Sequence, residues 1–118
     1  MKKKQSIISK RRARAKRPPL GQHFLTSARV LTDIIRAAHV RPGELILEIG
    51  PGKGVLTRAL LASGARVIAI ERDEMLAGAL SKEFAGNTHF TLITGDAIEI
   101  LEQGSVPELR RTSYAVIA

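Results

Sequence analysis

The sequence contains no cysteine and no tryptophan. Without cysteine there is no disulfide framework, no thiolate metal site and no cysteine nucleophile. The same absence fits a reducing, cytoplasmic setting. Aromatic residues make up only 3% of the chain, too few to suggest a platform on which bases stack. No apolar run approaches the ~18 residues of a membrane-spanning helix, so no membrane partner is expected. His23, His39 and His89 are scattered along the chain, and no metal site is expected from them. Internal repeats are also missing.

What is present is unevenly placed. The first 17 residues hold nine of the 19 Lys and Arg residues and no acidic residue. The formal charge of +8 therefore belongs to a tail, while the remaining ten basic and eleven acidic residues nearly balance. Residues 1–19 lack helical periodicity and end in Pro18-Pro19, so they read as a solvated, disordered basic segment. Such a segment suits nucleic-acid phosphates. It carries no apolar stretch of a secretory signal, although an Arg-rich, acid-free tail is also compatible with a mitochondrial presequence. The remaining length, at 44% apolar residues overall, suits one compact domain over residues 20–118.

From Leu20 onward apolar runs alternate with turn signals. Thr26 or Ser27 can cap a helix whose apolar face is Val30, Leu31, Ile34, Ile35 and Ala38, ended by Pro42-Gly43. Residues 45–49 read as a buried strand, followed by a Gly-rich turn and a helix carrying Val55, Leu56, Ala59 and Leu60. Residues 67–70 form the second strand, and Met75, Leu76, Ala79, Leu80 and Phe84 mark the next helix. Residues 90–94 are the third strand, 97–103 a short polar helix, and 114–118 open a fourth strand. Continuously apolar strands separated by helices predict an α/β, doubly wound, mostly parallel sheet of Rossmann type. A fourth strand with no successor reads as the end of an N-terminal fragment.

In such sheets ligands bind beyond the carboxyl ends of the strands. The first strand ends in Glu48-Ile49-Gly50-Pro51-Gly52-Lys53-Gly54. Gly50 and Gly52 allow close ligand approach to the backbone, and a helix N-terminus follows. A dinucleotide fingerprint would place its third glycine where Val55 stands; here it comes one residue early, at Gly54, which disfavours a nicotinamide cofactor. Glu71, 21 residues after Gly50, stands where a carboxylate accepts from both ribose hydroxyls, and so points to a free 2′-hydroxyl. Asp96, at the end of the third strand, can accept from an adenine amino group. Taken singly, Glu71 and Asp96 are as readily helix caps or solvated strand ends. Acidic and glycine residues on three successive strand ends point instead to a nucleoside-type cofactor.

These residues resemble the class I S-adenosylmethionine-dependent methyltransferases, and most closely the rRNA adenine N6,N6-dimethyltransferases. The resemblance is carried by Leu20-Gly21-Gln22-His23-Phe24-Leu25, the stretch Leu47 to Thr57, Glu71-Arg72-Asp73 and Gly95-Asp96, and covers about residues 19–118. Gly-Gln-His-Phe-Leu ahead of the first helix is the more specific part. Pro51 and Leu56-Thr57 look more like the small-subunit rRNA enzymes than the related large-subunit methylases.

The resemblance implies S-adenosylmethionine as cofactor, with His23 and Leu25 closing over its methionine part and Gly50, with Gly52, lying against methionine and ribose. Glu71 would hold the ribose and Asp96 would reach the adenine. It implies methylation of adenosine N6 in small-subunit rRNA by a cytoplasmic monomer. The family's Asn-Leu-Pro-Tyr/Phe motif follows the fourth strand, so by the resemblance it would fall past Ala118, as would a C-terminal helical domain. No catalytic residue is assigned within the chain, and the fragment alone is expected to be inactive. Alternatives are another class I methyltransferase, such as a large-subunit rRNA adenine methylase, or a non-catalytic nucleic-acid-binding relative.

Overall fold

The four apolar runs become four neighbouring strands in the computed structural model, which describes residues 3–6 and 28–118. In chain order the strands are β1 (Lys3–Ser6), β2 (Leu45–Ile49), β3 (Arg66–Glu71), β4 (Phe90–Thr94) and β5 (Tyr114–Ile117). The helices are α1 (Ala28–Ala37), α2 (Val55–Ala62), α3 (Glu74–Glu83), α4 (Ala97–Glu102) and α5 (Glu108–Arg111). The sheet order is β1-β5-β2-β3-β4, and every pairing is parallel.

Strands β2, β3 and β5 carry apolar residues at nearly every position because both faces of the sheet are covered there, while β4 at the edge is only partly buried. Leu45, Leu47, Ile68, Ile70 and Tyr114 turn to one face, where Val106 and Leu109 of the segment around α5 close over them. Ile46, Val67, Ala69, Ala115 and Ile117 turn to the other, against Leu60 of α2, with Ile35 of α1 packed alongside. Each fully buried Leu, Ile or Val contributes roughly 1.5–3 kcal/mol relative to an exposed one. The register Leu47↔Ile68 and Glu48↔Ala69 aligns the carboxyl ends of β2 and β3. Glu71 opposite Thr94 does the same for β3 and β4. That alignment gathers the three candidate strand ends on one edge.

Three local features differ from the sequence reading. Met75, placed on the apolar face of its helix by spacing, is 86% exposed; α3 instead buries Ala77 and Leu80. The helix is rotated so that Leu80 meets the start of α2, and Phe84 packs on Phe90 with ring centroids 4.8 Å apart. Helix α5 lies in a segment without a clear periodic signal, and it is anchored by the buried Leu109. Lys3–Ser6, within the basic tail, lie alongside β5, whose outer edge offers unpaired backbone groups. The rest of that tail, and the cap candidates Thr26 and Ser27, lie outside the described residues.

Candidate cofactor cleft

Beyond the ends of β2 and β5 a cleft of about 340 Å³ opens, lined by Glu48, Gly50, Gly52, Lys53, Ile34 and Ile117 among others. Its floor is the turn between β2 and α2. Gly50 has φ 73° and Gly52 φ 60°, a region that favours glycine. A Cβ built on either would meet no atom within 4 Å. Their requirement is therefore conformational, and they leave open space where a ligand could lie against the backbone.

Gly54 is different in kind. It is buried, with φ 84°, and a Cβ there would sit 2.7 Å from Leu80 Cδ2. The close packing that a dinucleotide fingerprint obtains from its third glycine is supplied here one residue earlier, between the start of α2 and α3. The displaced glycine is thus a packing device of this turn.

The acids at the strand ends hold the turn together. Gly50 N–H donates to the Ile70 carbonyl at 2.9 Å, tying the turn to β3. Glu71 is 5% exposed. Its Oε1 accepts from Gly52 N–H at 3.0 Å and its Oε2 from Asp73 N–H at 2.9 Å. Both oxygens thus already hold backbone donors, which orients the carboxylate; each keeps a further lone pair for a ligand hydroxyl. Asp96 caps α4, its Oδ1 accepting from Glu99 N–H at 3.0 Å, and it is half-buried at the end of β4. Gly95, just before it, donates to the Glu71 carbonyl at 3.0 Å, so the two acidic strand ends are locked side by side. Asp73 likewise caps α3 through Leu76 N–H at 3.0 Å.

Gly50, Gly52 and Glu71 are therefore brought together at one turn, with Asp96 on the adjoining strand end. His23 and Leu25 lie outside the described residues. Two residues gain a role only in the structure: Glu48, which the sequence offered only as one of the strand-end acids, and Thr57, which it carried only as part of a motif. Glu48 is 3% exposed in an apolar wall, and Thr57, fully buried, donates to its Oε1 at 2.6 Å. Burial pushes the Glu48 carboxyl up to about 7; the Thr57 hydrogen bond opposes that and the nearby Glu71 adds to it. A signal for Thr57 was available, because it stands three residues before Leu60 and so on the buried face of α2.

This glycine turn and its acids sit within a sequence match to the family model of ribosomal RNA adenine dimethylase, which spans residues 13–108. The chain belongs to that family. Ribosomal RNA small subunit methyltransferase A of Thermosynechococcus vestitus is 49% identical over 84 residues, covering 71% of this chain and 31% of the relative. The same-named protein of Pseudomonas aeruginosa is 47% identical over 83 residues, covering 70% and 31%. The chain thus spans about a third of the length of these curated relatives. Among solved structures, a dimethyladenosine transferase from Plasmodium falciparum is similar at TM-score 0.56 and 26% identity, over 78% of this chain and 41% of that one. The 23S rRNA methyltransferase ErmE is similar at TM-score 0.53 and 31% identity, over 59% and 29%. Within this adenine dimethylase family, the parallel sheet is the class I methyltransferase fold, and the turn after β2 is its Gly-rich segment.

Proposed function

We propose that the protein binds S-adenosylmethionine in the cleft beyond β2 and serves the dimethylation of adenosine N6 in small-subunit rRNA. The carrying observation is the open glycine turn, with Gly50 and Gly52 clear of neighbours beside the oriented Glu71 carboxylate. The acceptor set suits a nucleoside carrying a free ribose and an amino-bearing base. Glu71 accepts from the ribose hydroxyls, and Asp96 accepts from the adenine amino group. Gly50 and Gly52 admit the ligand against the backbone, and His23 and Leu25 close over it.

When bound, the cofactor supplies an electrophilic methyl on a sulfonium. The protein's own task is placement, because an exocyclic adenine amine is a poor nucleophile until acceptors draw on its N–H groups. By the family resemblance, those acceptors and an aromatic face for the unstacked base follow β5. The partner is the small ribosomal subunit, with the basic segment 1–19 meeting RNA phosphates; the setting is cytoplasmic and the protein a monomer.

Two measurements test this. Calorimetric binding of S-adenosylmethionine should weaken at least tenfold in Glu71→Ala, as expected for loss of hydrogen bonds to a charged acceptor; unchanged affinity would remove the ribose role. Transfer of labelled methyl groups by the complete protein should then favour small-subunit over large-subunit rRNA. A preference for large-subunit rRNA would move the assignment to the rival methylases.

A further inference from the structure

Resting on that cofactor reading, we propose that Thr57 and Glu48 form a buried clasp that positions the glycine turn, so that Thr57 governs cofactor binding without touching the ligand. Thr57 lies in the first turn of α2 and is fully buried. Its hydroxyl donates to Glu48 Oε1 at 2.6 Å, joining two residues nine apart on opposite sides of the turn. Among the described residues, helix α2 has no side-chain cap, since its N-cap is Gly54. The clasp therefore fixes where α2 begins relative to β2.

The turn is held at two other points, Gly50 on Ile70 and Gly52 on Glu71. Thr57–Glu48 is the third, and it acts on the side facing α1 and α2. Glu48 also lines the cleft. A Glu48 carboxyl that lost its donor would be left buried without that partner, a cost that favours turning it towards the cleft, into the space that Gly50 and Gly52 keep open. Around Glu48, α1 presents Ile34 and β5 presents Ile117, both apolar, while Lys53 lines the same cleft from the turn. Glu71 on β3 is the charged group acting on Glu48. Ionisation of Glu48 sets a charge in that buried apolar wall, which favours turning the carboxylate out towards the cleft; the Thr57 hydrogen bond opposes this and the charge on Glu71 adds to it.

The test is calorimetric titration of the protein with S-adenosylmethionine from pH 6 to 8.5, for wild type, Thr57→Val, Thr57→Ser and Glu48→Gln. Thr57→Val should raise Kd about tenfold, the scale of one buried hydrogen bond. Thr57→Ser, which keeps the hydroxyl, should stay within about twofold of wild type by the same scale. Wild-type Kd should rise through a midpoint near 7, while Glu48→Gln should bind with no such midpoint. Thr57→Val equal to wild type, Thr57→Ser as weak as Thr57→Val, or the same pH profile in Glu48→Gln would each overturn the clasp alone. A wild type that binds no S-adenosylmethionine would remove the cofactor reading and the clasp with it. Should Thr57→Val fail to fold, the serine and glutamine variants still decide.

Discussion

Replacing Gly54 with alanine attacks the joint on which the glycine turn rests. The backbone there has φ 84°, and an added Cβ would lie 2.7 Å from Leu80 Cδ2, 3.5 Å from Arg58 Nη1 and 3.8 Å from Phe84 Cε2. The left-handed conformation costs an alanine about 1–2 kcal/mol. Leu80 is 1% exposed and cannot move into solvent, so overpacking adds a further ~1–3 kcal/mol. Urea unfolding should therefore show a loss of about 2–5 kcal/mol. Leu80→Ala by itself should also destabilise, by roughly 2–5 kcal/mol, through its cavity. The double variant removes the collision, so its loss should fall short of the sum of the single losses by about 1–3 kcal/mol. Two results would refute the reasoning: a Gly54→Ala loss below about 0.5 kcal/mol, or strictly additive single losses. Either would mean that α3 does not brace the turn.

Three further expectations concern stability. His39 closes α1 with φ 55°, its N–H on the Arg36 carbonyl at 3.0 Å and the next N–H, of Val40, on Ile35 at 3.3 Å. Glycine is the favoured residue in that C-terminal motif, so His39→Gly should raise the urea midpoint, corresponding to about 0.5–1 kcal/mol. Glu48 gives a pH dependence of definite sign. Its carboxyl stands at about 7 against the ordinary 4.5, so between those values the folded chain holds a proton that the unfolded chain has released. Stability should fall with rising pH through that window, by up to about 3 kcal/mol, and level off above it; Glu48→Gln should flatten the curve. Asp73→Ala removes the cap of α3 and should lower stability by about 1 kcal/mol in thermal unfolding, with the Asp73 N–H bond to Glu71 retained.

Much of the architecture was legible in local pattern. The runs 45–49, 67–70 and 114–117 are largely apolar at successive positions because both faces of the sheet are covered there, whereas 90–94, at the sheet edge, is only partly buried; the pattern survives without any knowledge of the partners. The clustering of the candidate strand ends was legible for the same reason. Gly50, Gly52, Glu71 and Asp96 stand at fixed places relative to those strands, and a parallel sheet brings strand ends to one edge. Whether Glu71 and Asp96 serve a ligand or the backbone was not separable in advance. A carboxylate at a strand end can serve a ligand or a backbone N–H, and the structure shows each of them serving backbone donors.

Helix faces were less legible. The spacing of Met75, Leu76, Ala79 and Leu80 fits more than one rotation of α3, and packing against Gly54 and Phe90 selects the one that leaves Met75 outside. The placement of Lys3–Ser6 on β5 depends on an open sheet edge more than 100 residues away in the chain. The burial of Glu48 was similarly hidden, since a single acid in an apolar strand does not announce its partner.

Composition, periodicity and the order of glycines and acids were sufficient for the four strands β2 to β5, their parallel sense and the gathering of Gly50, Gly52, Glu71 and Asp96 at one edge, because each follows from short-range backbone preferences and from the burial of β strands. The Thr57–Glu48 bond, the Leu80 wall behind Gly54 and the upward shift of the Glu48 carboxyl needed the folded chain. They arise from contacts between elements whose distance, rotation and dielectric surroundings exist only once the core has closed.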